Sequence, residues 1–196
     1  MANRREFLQI SAATLGFMAV PAKTLAGMNP STPMPFYKVI YDERFEDCRI
    51  FAREARRLGA VTHSVREDIT DLWYGDLRDH LSGRPGLIAG LTTATSAFLL
   101  ELLGHDVFHH RVFRGEHNFS NAGLTGHRFE VPGYIAEHAS TLSSGREHWT
   151  AGLAGLMSRY DHARPAYPRT LISPPGPGLR SSPDLVSWVI APLKRV

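Results

Sequence analysis

The residues whose types could do chemistry fall into three sets. The first follows three strand-like runs: Asp42 after Phe36–Tyr41, Glu67 and Asp68 after Ala60–Val65, and Thr92, Thr93 and Thr95 after Gly86–Leu91. A carboxylate moves a proton or holds a cation, hydroxyl or amine. Hydroxyls beside free backbone N–H groups at a helix start favour an anion. A small polar molecule could use both, with Asp42 or Asp68 as the acid/base group and Thr92 or Thr93 on the anionic end. The same residues have plain structural uses, since Asp68 and Thr93 are good helix caps and Asp42 can close a turn.

The second set is imidazole. All ten histidines lie between His63 and His162, and His105, His109, His110 and His117 crowd together beside Asp106 and Glu116. Such groups bind zinc, copper or iron. The spacing works against a shared metal. His105 and His109 straddle the end of a helix, and adjacent His109 and His110 point to opposite faces of a strand. There is no His-Glu-x-x-His. Solvent-facing or hydrogen-bonded imidazoles are the simpler reading. The third set is one thiol, Cys48. A single cysteine excludes an internal disulfide, an iron–sulfur cluster and a Cys-x-x-Cys site, and its place on an apolar stripe makes it a core thiol. Neither Gly-x-Ser-x-Gly nor the phosphate-cradling glycine motifs occur, which disfavours dinucleotide and nucleoside triphosphate binding. No cofactor is implied by any residue pattern.

The elements that must position these groups read clearly over the first half. Phe36–Tyr41 is a strand, Glu43–Leu58 an amphipathic helix stopped at Gly59, and Ala60–Val65 a second strand. Asp68 starts a helix that runs to about Leu81, Gly86–Leu91 is a strand covered on both faces, and Thr92 or Thr93 caps a helix to Leu103. Alternating strands and helices predict an α/β domain with a parallel sheet, of flavodoxin-like or Rossmann-like three-layer type. Beyond Gly104 the pattern predicts short strands at 110–113 and 127–131 and a largely helical stretch over 134–160, broken at Ser144-Gly145.

The N-terminus carries Asn3-Arg4-Arg5-Glu6-Phe7-Leu8, then an apolar run from Ile10 to Val20, then small residues around Ala22 and Ala26. This is the layout of a signal peptide. Arg4, Arg5, Phe7 and Leu8 resemble the twin-arginine export motif, with Asn3 and Gln9 departing from its hydroxyl and lysine positions. The resemblance covers about the first tenth of the chain. It implies a bacterial protein passed already folded through the Tat translocase to the periplasm or beyond, commonly because it holds a cofactor or travels with a partner. The apolar run is too short for a membrane span, which needs about 20 residues.

The chain has 196 residues, 43% hydrophobic and 21% charged, which suits one globular domain. Beyond residue 26 the net charge is only +1, so no basic nucleic-acid face is expected. Four regions follow: a signal over 1–26, a Pro-rich linker over 27–35, the α/β domain over 36–162, and a Pro-rich arm over 163–196. The arm holds seven of the 13 prolines but ends in the apolar Leu185–Ile190, so it is expected to dock on the domain or on a partner. The helix from Ala94 to Leu103 has Glu101 as its only charge. Such a helix is buried in its own domain or covered by a partner subunit, through Phe98–Leu103. The readings rank as a non-catalytic accessory subunit of a periplasmic complex (redox complexes included) or small-ligand-binding module, then an enzyme at the strand edge, then a histidine-rich metal binder.

Overall fold

The computed structural model describes residues 34–193 apart from 67, 85, 121–122, 145–148, 165–166 and 173–184. Arg4, Arg5, Phe7 and Leu8 of the leader, and positions 27–33 of the linker, lie outside the described residues. The linker's last two residues are described, and Met34 is a core residue rather than a spacer: it is buried, and its N–H donates to the Leu58 carbonyl.

The first three strand–helix units form close to where the residue pattern places them. Strand β1 (Lys38–Asp42) leads into α1 (Glu46–Arg57), whose stripe of Cys48, Phe51, Ala52 and Ala55 is buried. Acidic Glu46 and Asp47 open the helix and basic Arg56 and Arg57 close it, as the helix dipole favours. Past its end, Gly59 N–H donates to the Arg56 carbonyl and Ala60 N–H to that of Ala55, the two bonds of a Schellman stop. Strand β2 (Thr62–Val65) follows.

The next helix is continuous but not uniform. It runs as α2 (Thr70–Leu72), a π segment (Trp73–Leu77) and α3 (Arg78–Gly83). Ile69 at its N-cap and the buried Trp73, Leu77 and Leu81 recur every fourth position, with Leu72 buried beside them. In a regular helix of 3.6 residues per turn that spacing drifts around the axis, and the wider π turn keeps the four on one face. Strand β3 (Ile88–Thr92) is buried along its whole length, and α4 (Ala94–His105) follows.

The second half departs from the expectation. His109 to Pro132 is one long hairpin, β4 (His109–Ser120) and β5 (Gly123–Pro132), rather than two short strands. A 3-10 turn (Gly133–Ile135), α5 (Ala136–Ser144) and α6 (Trp149–Met157) come next, then β6 (Pro168–Ile172) and β7 (Leu185–Pro192).

The seven strands form one sheet in the order β2-β1-β3-β7-β4-β5-β6. Only β2, β1 and β3 run parallel, and β3–β7, β7–β4, β4–β5 and β5–β6 are antiparallel. The α/β class stands, but the expected parallel sheet covers only that one end. The apolar end of the arm forms a strand within the sheet: β7 is the fourth of seven strands and is buried from Leu185 to Ala191. An apolar run without alternation needs cover on both faces, and a central strand supplies it.

Two cores result. Helices α1, α5 and α6 cover one face, over Val39, Leu91, Phe113, Phe129 and Val189. Helices α2 to α4 cover the other, over Ile40, Ile88, Val186, Trp188 and Ile190.

Candidate functional site

At the carboxyl ends of β1 and β3 the expected polar residues do gather, because the parallel register sets Tyr41 beside Leu91 and so Asp42 beside Thr92. Each is already engaged. Asp42 is fully buried and gripped by Arg44, whose Nε donates to Oδ1 at 3.0 Å, whose Nη2 donates to Oδ2 at 2.8 Å, and whose backbone N–H adds a bond to Oδ1 at 3.1 Å. Thr92 accepts from the Trp188 indole at 3.1 Å and donates to the Thr93 carbonyl at 3.1 Å. Thr93 caps α4 by accepting from Ser96 N–H. Asp68 is exposed and accepts from Thr70 N–H at 2.7 Å. Bonds from the Thr70 hydroxyl and N–H hold its carboxyl below the usual range. The indole reaches Thr92 only because position 90 is glycine: a Cβ there would stand 2.5 Å from the Trp188 ring. Cys48 is buried in the first core, and burial pushes its thiol up.

The four clustered histidines are separated by the fold. His105 is exposed at the end of α4. His109 is buried with Nδ1 at 2.8 Å from the Val107 carbonyl and Nε2 at 3.1 Å from that of Gly86. His110, on the next position of β4, is half-buried, and burial and then the nearby His162 lower its pKa. His117 lies seven or more positions along β4, in the first core. Among the described residues no three His, Cys, Asp or Glu side chains converge as a metal site would need. The expected crowd in sequence is therefore not a cluster in space.

What replaces it is a chain across three adjacent strands. His117 on β4 stands opposite His127 on β5, and their Nδ1 atoms are 2.6 Å apart. On its other side His117 Nε2 is 2.9 Å from Ser187 Oγ on β7. Trp149, the first residue of α6, covers both rings at centroid distances of 4.5 and 5.2 Å, and Phe129 flanks them. Burial, and then the His127 neighbour, push His117 well below the ordinary imidazole range, and burial pushes His127 down to about 4. Both rings are therefore neutral at pH 7.

The connectivity is that of a nucleophile, a base and an orienting group. The packing excludes that use. Ser187 and His117 are both 0% exposed. A Cβ at Gly115 would sit 2.3 Å from Ser187 Oγ and 2.7 Å from the Phe129 ring, so the space before the hydroxyl is full. No carbonyl carbon can approach it in this conformation. Residue spacing pointed to His117 but to neither His127 nor Ser187. Reading 109–132 as one hairpin would have paired 117 with 127, and nothing short of the sheet order brings in Ser187.

Two further groupings were not anticipated. On the π segment, Asp76 accepts from the Tyr37 hydroxyl at 2.6 Å and pairs with Lys38, while the Tyr37 ring stacks on His80. Burial raises the Asp76 carboxyl, but the bonds from Lys38 and Tyr37 outweigh it and hold it low. On the opposite face of the β4–β5 hairpin from the histidines, Arg111, Arg114, Glu116, Arg128 and Glu130 line an open basin of about 330 Å3. Arg111 pairs with Glu101 and Glu130, and Arg114 with Glu116, so the basin's charges are largely self-neutralised.

Beside that basin, α4 is covered on one side only. Ala97 and Leu100 face the core, while Thr95, Phe98, Leu102 and His105 form an exposed stripe at spacings of three and four. Phe98 is 60% exposed and Leu102 51%. The simpler expectation, burial within its own domain, is thus half met.

The chain matches no protein-family model, and neither a curated protein nor a solved structure matches it.

Proposed function

We propose that this chain is exported folded and serves as a non-catalytic accessory subunit of a periplasmic complex, docking its partner through the outer stripe of α4. The observation that carries this reading is the pair Phe98 and Leu102, adjacent on one helix face and more than half exposed. Burying the remaining half of two such side chains is worth about 1–1.5 kcal/mol each. Glu101 and Arg111, paired at 3.2 Å, supply the polar rim that surrounds an apolar interface centre. The leader residues Arg4, Arg5, Phe7 and Leu8 support the export step through their resemblance to the twin-arginine motif. Among the described residues no helix is long and apolar enough to cross a membrane. At the parallel end, β2-β1-β3 with helices on both faces supports kinship in form with flavodoxin-like or Rossmann-like sheets, with an antiparallel extension added.

A small-ligand-binding role has one observation in its favour, the Arg/Glu basin. Its mixed charge suits a zwitterion better than a simple anion. The strand-edge enzyme has less support, because Asp42, Thr92 and Thr93 are spent on neighbours within the fold.

The test is native mass spectrometry of the protein isolated from the periplasm. The expected wild-type result is a complex larger than one chain, with the chain shortened near Ala22 or Ala26. The Phe98→Glu/Leu102→Glu variant should keep the wild-type circular dichroism and run as a single chain. A wild type that travels alone, or a complex that survives the double variant, overturns the docking reading. An Arg4→Lys/Arg5→Lys variant that is still exported overturns the export reading.

A further inference from the structure

We propose that the His117–His127–Ser187 chain is an acid-sensitive latch, which holds the start of α6 on the β7–β4–β5 face and releases it when the imidazole pair takes up protons. The inference concerns the buried face of the hairpin and is independent of the α4 stripe.

The proton arithmetic of the chain supports it. Two neutral imidazoles carry two N–H protons among four ring nitrogens, and the Nδ1–Nδ1 contact at 2.6 Å requires one of them. Two arrangements satisfy the chain. In one, the Ser187 hydroxyl donates to His117 Nε2 and His117 Nδ1–H donates to His127 Nδ1. In the other, His127 Nδ1–H donates to His117 Nδ1, His117 Nε2–H donates to Ser187 Oγ, and the hydroxyl proton turns to the Gly115 carbonyl at 3.5 Å. A first added proton can still be accommodated on His117, which then donates from both nitrogens. It places a full charge on a ring that is 0% exposed. A second proton sets two N–H groups head to head at the same contact, and that bond is lost. Sites coupled in this way take up protons as a pair rather than as separate residues.

Among the described residues, the surroundings do little to welcome the charge. From β7 comes the uncharged Ser187, and from β5 the Phe129 ring. The charged residues of the hairpin, Arg114, Glu116, Arg128 and Glu130, alternate with the histidines and so face the other side. From the covering helices, Trp149 of α6 lies on both rings, and its indole N–H donates to the Asp47 carboxyl of α1. Burial raises the Asp47 carboxyl, so this anion is lost at higher pH than an ordinary aspartate. The Trp149 face repays part of the cost of an imidazolium, but only a part, since its ring is tilted by 41° from that of His117.

The sign follows. Both imidazoles are depressed in the folded state, so the unfolded chain binds protons first as pH falls. Stability is full above about pH 6.5, the unfolded imidazole value. It declines as the pH drops toward the folded value of about 4 for His127.

The experiment uses the full chain. Hydrogen exchange, corrected for the intrinsic rate at each pH, is read at pH 7.5 and 4.5 on peptides from 149–157 and, as a control, from 94–105. Protection of 149–157 should fall at least tenfold more than that of the control. The His117→Phe/His127→Phe variant, which replaces both partners at once with rings of similar shape, should lose that extra fall. Equal loss in both peptides, or the same fall in the variant, overturns the latch. Where the double variant does not fold, imidazole NMR of the wild type decides. Two imidazoles should stay neutral at pH 5.5, and titration of all the imidazoles near 6.5 overturns the proposal.

Discussion

The strand ends of the parallel part and the buried interior of the antiparallel part handle their polar groups differently. At the parallel strand ends three candidate residues pair with near neighbours in sequence: Asp42 with Arg44 two residues on, Asp68 with Thr70 two residues on, Thr93 with Ser96 three residues on. Elsewhere in the parallel part, Asp76 reaches back 39 and 38 residues to Tyr37 and Lys38. In the buried antiparallel part the partners come from far away. His117 meets Ser187 from 70 residues off, and Trp188 reaches back 96 residues to Thr92. The first kind of bond forms whenever its turn or helix start forms. The second exists only when the whole sheet is assembled. The parallel strand ends should therefore tolerate loss of a polar partner, and the buried antiparallel part should transmit any loss to the whole domain.

Trp188→Ala probes that contrast most severely. It empties a fully buried indole site on the central strand and strips Thr92 of its donor. A loss of about 3–5 kcal/mol is expected, read as a fall in the urea midpoint. That is a large share of the total for a typical domain, about 5–15 kcal/mol. Loss of well under 2 kcal/mol would mean that β7 is less central to stability than its place in the sheet.

Asp42→Asn should cost less, about 1–3 kcal/mol by the same measurement. The carboxylate is buried, but Arg44 is 35% exposed and can turn to water when its partner is neutral. A cost equal to that of Trp188→Ala would erase the distinction between local and distant pairing. The smallest effect should come from Thr93→Ala, about 1 kcal/mol, the ordinary worth of a helix cap. Measured in a Trp188→Ala background, it should add independently only if α4 stays seated when β7 loses its indole.

What was legible in the residue pattern follows the same divide. Each of the first three strands and helices was readable because its period, cap and stop are written within a dozen residues, as with the apolar stripe of α1 and the hydroxyl of Thr93. The long hairpin was not, because its inward positions include Gly115, His117 and His127 where the alternation rule expects apolar side chains. Strand β7 was half legible. The run 185–190, apolar except for Ser187, nearly obeys the rule that identified β3, yet proline-rich sequence before it reads as an arm. The rule for two-sided burial was sound in both places, and the proline context misdirected it in one.

The candidate sites divide likewise. The residues at the strand ends were named from the pattern, and the fold does bring Asp42 and Thr92 side by side, but it engages both. The histidines were noticed as a crowd, and the fold disperses them: His109 goes to backbone carbonyls, His105 to solvent, and His117 to an imidazole partner ten residues away. The apolar character of α4 was plain, though not which of its sides would stay uncovered.

By itself, then, the order of residues determined the α/β class, the first three strand–helix units, the inert core cysteine and the resemblance of the leader to an export signal. These rest on periodicity and on bonds a few residues long, which the chain carries wherever it goes. Only the tertiary structure decided that the last strand lies in the middle of the sheet, that His117, His127 and Ser187 join under Trp149, and that Phe98 and Leu102 face outward. Those depend on which strand pairs with which. Strand order is set by burial of whole faces against one another, and no local stretch of sequence contains that information.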